Sequence, residues 1–528
     1  MQQMSHVLLS VCGRRHRRTP GGRSALLQFR LGARTAQVLC KQTHVHERCF
    51  GSSIGATYHP GVAPESSTPV PSELMGNFQG LEVTFLGTGA AAPSPRRNVL
   101  SVAVRIGLAE QRKSAALWLF DVGEATQHQL MRSHLHMGRI ERIFLTHLHG
   151  DHCFGLAGLL CGLGANSIPD DQSETAGDSG DAPGDRRGRL PLVDVYGPPG
   201  LRLLVRSALG VGRAHPRLRL RLHEIVPPAP DVLRDWYEWS RQFMNVEDNR
   251  LSRAALRTWA ETLAPTMDCS LPMLPCEQAG TDFHFPSLAD VQSMPEDPRI
   301  HGSIALKLVD DERGSVYVAP LRHSVPCFGY VIVEKQRLPR IDLVALRQKY
   351  QLETHPILKE LKLGRSVPHP HDASKWIEPS EVLQPAAGPR KLVILGDTYD
   401  STLILPAAHQ CQLLVHEATL GDELAHRARS VQHSTARMAG AFAKRANLTG
   451  ALALTHISAR YDDQDGRSSR QLLAEARQGA KDGQFSIFIA EDLQRVQVPG
   501  TTAQCDPALM RYSTRSADSD SAVMLDAL

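Results

Sequence analysis

Apolar residues along this chain recur in short runs with a period of two, and each run stops at a polar or glycine-rich turn. Leu81-Glu82-Val83-Thr84-Phe85-Leu86 alternates as a half-buried strand does. Ala116 to Phe120, Ile143 to Leu145 and Leu192 to Tyr196 read as further strands, as do Val316 to Leu321, Leu392 to Leu395, Leu413 to Val415 and Ala451 to Thr455. Arg217 to Leu222 alternates without a break and predicts a strand with one arginine face, which could meet phosphate or solvent. Helical spacing appears around Val232 to Trp259, over Asp342 to Tyr350, and in the Ala/Met-rich stretch to about Ala446, which Ser434 and Thr435 are suited to cap. Strands alternating with helices predict an α/β layered domain.

The punctuation divides the chain. Residues 1–80 read as a basic extension with a Pro/Ser-rich linker, Val62 to Ser72. Residues 81–500 form the predicted catalytic domain, and 501–528 a loose polar tail. Within the domain, 165–189 have the composition of a disordered insert, and 228–290 combine a helical pattern with a Pro/Cys-rich loop. Gly87 to Ala92 mimics a dinucleotide-binding turn, but Pro93-Ser94-Pro95 stands where the helix receiving a pyrophosphate would begin. It reads as a tight loop after the first strand.

Composition narrows the classes. The 42% hydrophobic content is that of a globular protein. No apolar run is long enough to cross a bilayer, so no membrane partner is expected. The ten cysteines include no Cys-x-x-Cys pair, which argues against a disulfide framework or a thiolate zinc site, and Cys153 reads as a packing residue. The net charge of +4 is uneven: residues 1–64 hold nine Lys/Arg and one acid, so the remainder is slightly acidic. An Arg-rich, acid-poor start fits import into a mitochondrion or plastid; the alternative is a basic tail on a nuclear or cytoplasmic protein. Any nucleic acid bound by the body must meet local basic patches.

The chemistry concentrates in Thr146-His147-Leu148-His149-Gly150-Asp151-His152, directly after a strand. Neutral imidazole and carboxylate are ligands for a borderline divalent ion such as zinc. Later strands each end in a ligand type: His323, Asp397, Glu417 and His456. The count suits two ions, one on His147, His149 and His323, the other on Asp151, His152 and His456, bridged by Asp397. Such a pair clamps the attacking and leaving oxygens of a phosphoryl displacement. Glu417 and His433 remain as an acid pair, in which the carboxylate would raise the imidazole pKa and the imidazole protonate a departing oxygen. His416 is assigned to packing or to support of the site.

Taken together, these motifs resemble ribonuclease Z, the tRNA 3′-processing endonuclease of the metallo-β-lactamase superfamily, in its short form. They run from Phe85 to Asn98, Phe120 to Gln127, Leu145 to His152, His323 to Tyr330, Gly396 to Thr398, His416 to Thr419, His433 to Thr435 and Leu454 to Tyr461. The resemblance implies a four-layer αβ/βα sandwich with a protruding flexible arm, two Zn2+ (Mn2+ or Fe2+ as alternatives), a homodimer, and precursor tRNA as partner. It implies hydrolysis just past the discriminator nucleotide, leaving a tRNA 3′-hydroxyl. Asp151 would deprotonate or orient the attacking water. By position the arm is residues 335–387, whose first part, Lys335 to Arg365, has eight Lys/Arg against three acids. The competing reading on the same fold is a small-molecule or cyclic phosphodiesterase.

Overall fold

Alternate side chains of each period-two run enter different cores. A computed structural model describes residues 78, 80–107, 115–165, 190–242, 251–263, 270–293, 300, 303–335, 339–353, 355–384, 388–462, 468–481, 483–498 and 511–513. The basic extension up to residue 77, insert positions 166–189 and most of the tail lie outside the described residues.

The first sheet is laid down by Leu81–Gly87 (β1), Ser101–Ile106 (β2), Ala116–Phe120 (β3), Ile140–Phe144 (β4), Leu192–Gly197 (β5) and Arg219–Val226 (β6). The two-residue strands Glu277–Gln278 (β7) and Phe283–His284 (β8) both pair with β6. The second sheet begins with Leu306–Asp310 (β9), Gly314–Leu321 (β10) and Cys327–Glu334 (β11). A separate hairpin, Val367–His369 (β12) with Asp372–Ile377 (β13), interrupts it. The sheet resumes with Lys391–Leu395 (β14), Leu413–Glu417 (β15), Ala451–Thr455 (β16) and Ser486–Ile489 (β17). Arg495–Gln497 (β18) and Arg511–Ser513 (β19) return to the edge of the first sheet.

One core fills the space between the sheets. It takes Trp118 and Phe120 from β3, Val316 and Val318 from β10, and Leu392 and Ile394 from β14. The intervening residues of the same strands face outward. Leu117 and Leu119 join a core under the helices Leu156–Ala165 and Leu201–Val211. Tyr317, Ala319, Val393 and Leu395 join another under Pro230–Gln242, Arg253–Leu263, Ala436–Arg445 and Ser469–Ala480. Helix, sheet, sheet, helix is the four-layer αβ/βα order, and strands buried on both faces explain why β3 and β14 read as nearly continuous apolar runs. The last two helices cross closely, since a Cβ on Gly440 would lie 2.0 Å from the Ala476 carbonyl oxygen.

Within each sheet one set of strands is parallel, β3 to β6 in the first and β14 to β17 in the second. Their carboxyl ends therefore gather at one edge, where an α/β sheet leaves a crevice. The Tyr330 hydroxyl donates to the Leu145 carbonyl across the sheets at 2.6 Å, and the Phe328 amide to the Thr146 carbonyl at 2.9 Å. These bonds hold the edge of β11 against the turn after β4.

Residues 339–384 build a small unit with its own apolar cluster, in which Leu346, Leu361, Val367, Ile377 and Val382 are buried. Its first helix, Leu343–Tyr350, is capped by Asp342, whose carboxylate accepts from the amides of Val344 and Ala345.

Two expectations need correction. The arginine face of β6 is committed: Arg221 pairs with Asp194 through Nε and Nη2, at 2.5 and 2.8 Å, and Arg219 Nε donates to the Leu190 carbonyl. A neighbouring strand supplies the acid, which alternation along one strand cannot reveal. The tail is not wholly loose, because Arg511–Ser513 pairs antiparallel with β18 and satisfies an open sheet edge. The helical pattern around Val232 to Trp259 resolves into two helices, Pro230–Gln242 and Arg253–Leu263.

Candidate metal centre

Strand ends deliver the predicted ligand types to one place. The turn after β4 carries His147 and His149, then Asp151 and His152 in the short helix Gly150–Cys153. His323 follows β10, Asp397 follows β14, Glu417 closes β15 and His456 follows β16. His433 lies between the helices Ala425–Val431 and Ala436–Arg445, and the Thr435 hydroxyl caps the second by accepting from the Met438 amide. Glycine is needed just before Asp397, where a Cβ on Gly396 would sit 2.6 Å from the Thr146 Cβ. His456 is held at φ +54°, a left-handed backbone that costs a non-glycine residue about 1–3 kcal/mol.

Two ligand groups form and meet at Asp397. In the first, His147 Nε2 lies 3.0 Å from His149 Nδ1, and His323 Nε2 lies 3.3 Å from the same atom. In the second, His152 Nε2 is 3.2 Å from His456 Nε2, and Asp151 Oδ2 is 3.3 Å from His456 Nε2. Asp397 Oδ2 stands between them, 3.8 Å from His147, 3.9 Å from His323, 3.4 Å from His152 and 3.3 Å from His456. Every ligand residue assigned from the sequence is in this cluster.

The outer ring nitrogens decide what the inner ones offer. His152 Nδ1 lies 2.7 Å from Asp121 Oδ2, and His323 Nδ1 lies 2.8 Å from the Gln432 carbonyl. Both acceptors require an N–H. Thr146 donates its hydroxyl to Asp121 and accepts from His147 Nδ1 at 3.0 Å. Thr419 likewise donates to Glu417 and accepts from His456 Nδ1 at 2.8 Å. These bonds fix the tautomer of four histidines with an Nε2 lone pair turned inward. Lone pairs 3.0–3.3 Å apart repel unless a cation or proton lies between them. The buried Asp397 Oδ1 has no hydrogen-bond partner. The donor set therefore fits cations, and nitrogen with carboxylate oxygen is a zinc-like set.

The electrostatics agree. Burial holds His147 well below the usual imidazole value, lowers His149 and takes His323 down to about 4, so these rings are neutral ligands at pH 7. Burial alone would raise Asp151, but the adjacent His456 and His152 rings hold it far below the usual carboxylate range. Burial would lower His152, yet Asp397 and Asp121 outweigh it and raise that ring well above its ordinary value. A proton there answers the negative charge that a bound cation would otherwise neutralise.

Glu417 and His433 sit beside the ligands. His433 Nδ1 is 3.2 Å from both Glu417 oxygens and 3.7 Å from Asp397 Oδ2. Burial would lower His433, but the Glu417 and Asp397 carboxylates raise it to about 9. Glu417 is fixed in turn by the Thr398 amide at 2.6 Å and the Thr419 hydroxyl at 2.6 Å. With Nδ1 given to Glu417, Nε2 is the nitrogen free to carry a proton outward. His416, assigned to packing or support, packs its ring against Phe442 with centroids 5.6 Å apart.

Sequence reasoning missed the roles of Asp121, Thr146 and Thr419. Asp121 carried the same signal as the ligands, a carboxylate at a strand end. The Gln432 carbonyl left no signal in any side chain.

A family model described as Anti-Pycsar protein Apyc1 matches residues 81–162, the stretch from β1 through the ligand turn. Zinc phosphodiesterase ELAC protein 1 of Mus musculus is 34% identical over 431 residues, 79% of this chain and 99% of the relative. Ribonuclease Z of Geobacillus kaustophilus (strain HTA426) is 32% identical over 397 residues, 75% of this chain and 94% of the relative. The solved structure described as human tRNase Z, short form (ELAC1), aligns with a TM-score of 0.44 at 26% identity, covering 79% of this chain and 99% of that one.

Proposed function

The chain belongs to the ribonuclease Z family, and from that premise we propose a dinuclear zinc centre in which Asp151, Glu417 and His433 carry the proton and water chemistry. The enzyme is a metal-dependent phosphodiester hydrolase that removes the 3′ trailer from precursor tRNA and leaves a 3′-hydroxyl on the tRNA. The observation that carries the proposal is the inward set of tautomer-locked nitrogens around Asp397.

His147, His149 and His323 would hold one ion, Asp151, His152 and His456 the other, with Asp397 shared. Bound divalent ions supply charge neutralisation at the phosphate and acidify water. The residues do the rest. Asp151 Oδ2, pinned by the Ala91 amide at 2.7 Å, orients the attacking water. The water gives a proton to Asp151, and its oxygen bonds to phosphorus as the bond to the tRNA 3′ oxygen breaks. His433, held by Glu417, delivers its Nε2 proton to that oxygen. The phosphate stays on the trailer as its 5′ end.

Residues 335–387 are proposed as the arm that holds the tRNA, on the strength of the separate core within 339–384 and of exposed cations there such as Lys349 and Arg365. A small diester needs no such segment, which weighs against the competing reading of a small-molecule phosphodiesterase. Homodimerisation is proposed through the outer helices of the first sheet, where Met131, Phe154 and Val211 are 68%, 63% and 87% exposed. Import into an organelle is proposed from the Arg-rich start, and fusing residues 1–80 to a fluorescent reporter tests it.

Incubation of the purified chain with end-labelled precursor tRNA should give one cut past the discriminator, dependent on bound metal. Metal analysis should return about two zinc per chain, the number a two-metal hydrolase needs. Cleavage elsewhere in the RNA, or full activity in a chelator-stripped chain, would refute the reading.

A further inference from the structure

A cavity of about 690 Å³ lies outside the metal centre, on the helix-covered side of the second sheet. Its size falls within the usual range for small-molecule pockets, about 300–1,000 Å³. None of the ligand residues lines it, yet it shares walls with their neighbours: Arg322 beside His323, Ser434 beside His433 and His416 beside Glu417. Successive strand residues face opposite ways. So Glu417 faces the centre while His416 turns to this cavity.

The opposite wall comes from the segment 228–290, which the catalytic reading leaves unexplained. Tyr237 and Arg241 on the helix Pro230–Gln242, and Ala255 on the helix Arg253–Leu263, close the cavity from that side.

The charge of the lining is one-sided. Arg241, Arg322, Arg429, Lys444 and Arg445 stand against a single carboxylate, Asp400, among the described residues. That carboxylate is already engaged: Oδ1 accepts from the Thr402 amide at 2.9 Å and Oδ2 from the Tyr237 hydroxyl at 3.4 Å. Arg322 and Arg429 each hold a guanidinium 5.7 Å from the Tyr399 ring centroid, and the Tyr399 hydroxyl accepts from Arg429 Nε at 2.8 Å. Guanidiniums supported by an aromatic ring suit a phosphate, and Tyr399, the half-buried aromatic of the lining, is the ring open to a planar base, whereas Tyr237 and Phe442 are buried in the wall.

We propose that this cavity binds a nucleoside phosphate. The source is either a nucleotide of the RNA strand running past the centre or a free mononucleotide. The inference rests on the cavity and not on the assignment of precursor tRNA as substrate.

The test is calorimetric binding of uridine 5′-monophosphate and of inorganic phosphate to the metal-loaded chain. The paired variant Lys444→Gln/Arg445→Gln should weaken the nucleotide by about 10-fold or more, the share of a charged hydrogen bond, with zinc content and melting temperature unchanged. Ala441→Trp, which fills the cavity from the helix Ala436–Arg445 without removing charge, should do the same. A raised KM for precursor tRNA with kcat kept in these variants assigns the site to the RNA strand. Unchanged precursor kinetics, with added mononucleotide altering turnover only in the unmodified chain, assigns it to a free nucleotide. The proposal is overturned if the nucleotide fails to bind, binds both variants as tightly as the parent, or binds no better than phosphate.

Discussion

The metal-bearing edge and the 339–384 unit are organised by opposite means. At the edge, His147, His152, His323 and His456 each have their outer nitrogen bonded to a partner on a folded segment, and each ring is almost fully buried. In the 339–384 unit the charges pair at the surface, Lys349 with Glu381 and Arg365 with Glu360, with all four side chains at least 39% exposed. Exposed pairs of that kind contribute about 0–1 kcal/mol each. Geometry at the edge is therefore set by the core, whereas the unit offers charge that a polyanion can claim at little cost. Chemistry and grip should fail separately.

The sharpest break is Asp151→Ala, which removes both a ligand and the group that orients water. Turnover should vanish on precursor tRNA and on bis(p-nitrophenyl) phosphate alike, and a surviving rate on either would dissolve the assignment. Deleting residues 335–387 should abolish cleavage of the precursor and leave the small diester hydrolysed. Equal loss on both substrates would mean that the unit supports the core rather than the RNA. His433→Ala should slow cleavage by about 10²–10⁴, the usual share of a general acid, with zinc retained; loss of zinc would move His433 into the ligand set. Asp121→Asn should weaken metal binding by about 10–100-fold, read by competition with a chelator, because His152 then loses the acceptor that fixes its tautomer. The mildest change is Lys359→Gln with Lys362→Gln. It should leave the small diester untouched and flatten the salt dependence of tRNA binding by about one unit of slope for each phosphate no longer neutralised.

The ligand turn was legible because its signal is local: three histidines and an aspartate within six positions after an apolar strand. His323, Asp397 and His456 were legible for a related reason, since each ends a strand that the period-two pattern marks. The layered fold followed from alternation of strands and helices, and Thr435 was readable as a cap. The commitment of the β6 arginine face was hidden because its partner, Asp194, lies on another strand. The pairing of Arg511–Ser513 was hidden because polar composition does not report an open sheet edge nearby. The cavity left no pattern at all, since its arginines come from four separate segments.

What the sequence determined alone was the kind of atom present and its place in a local element, because strand periodicity and residue chemistry act over a few positions. Only the tertiary structure decided which ring nitrogen each histidine presents. That choice is made by acceptors on other segments, such as Asp121 for His152, the Gln432 carbonyl for His323 and Thr419 for His456. A hydrogen bond forms only when folding brings donor and acceptor to about 3 Å, and no spacing along the chain encodes that distance.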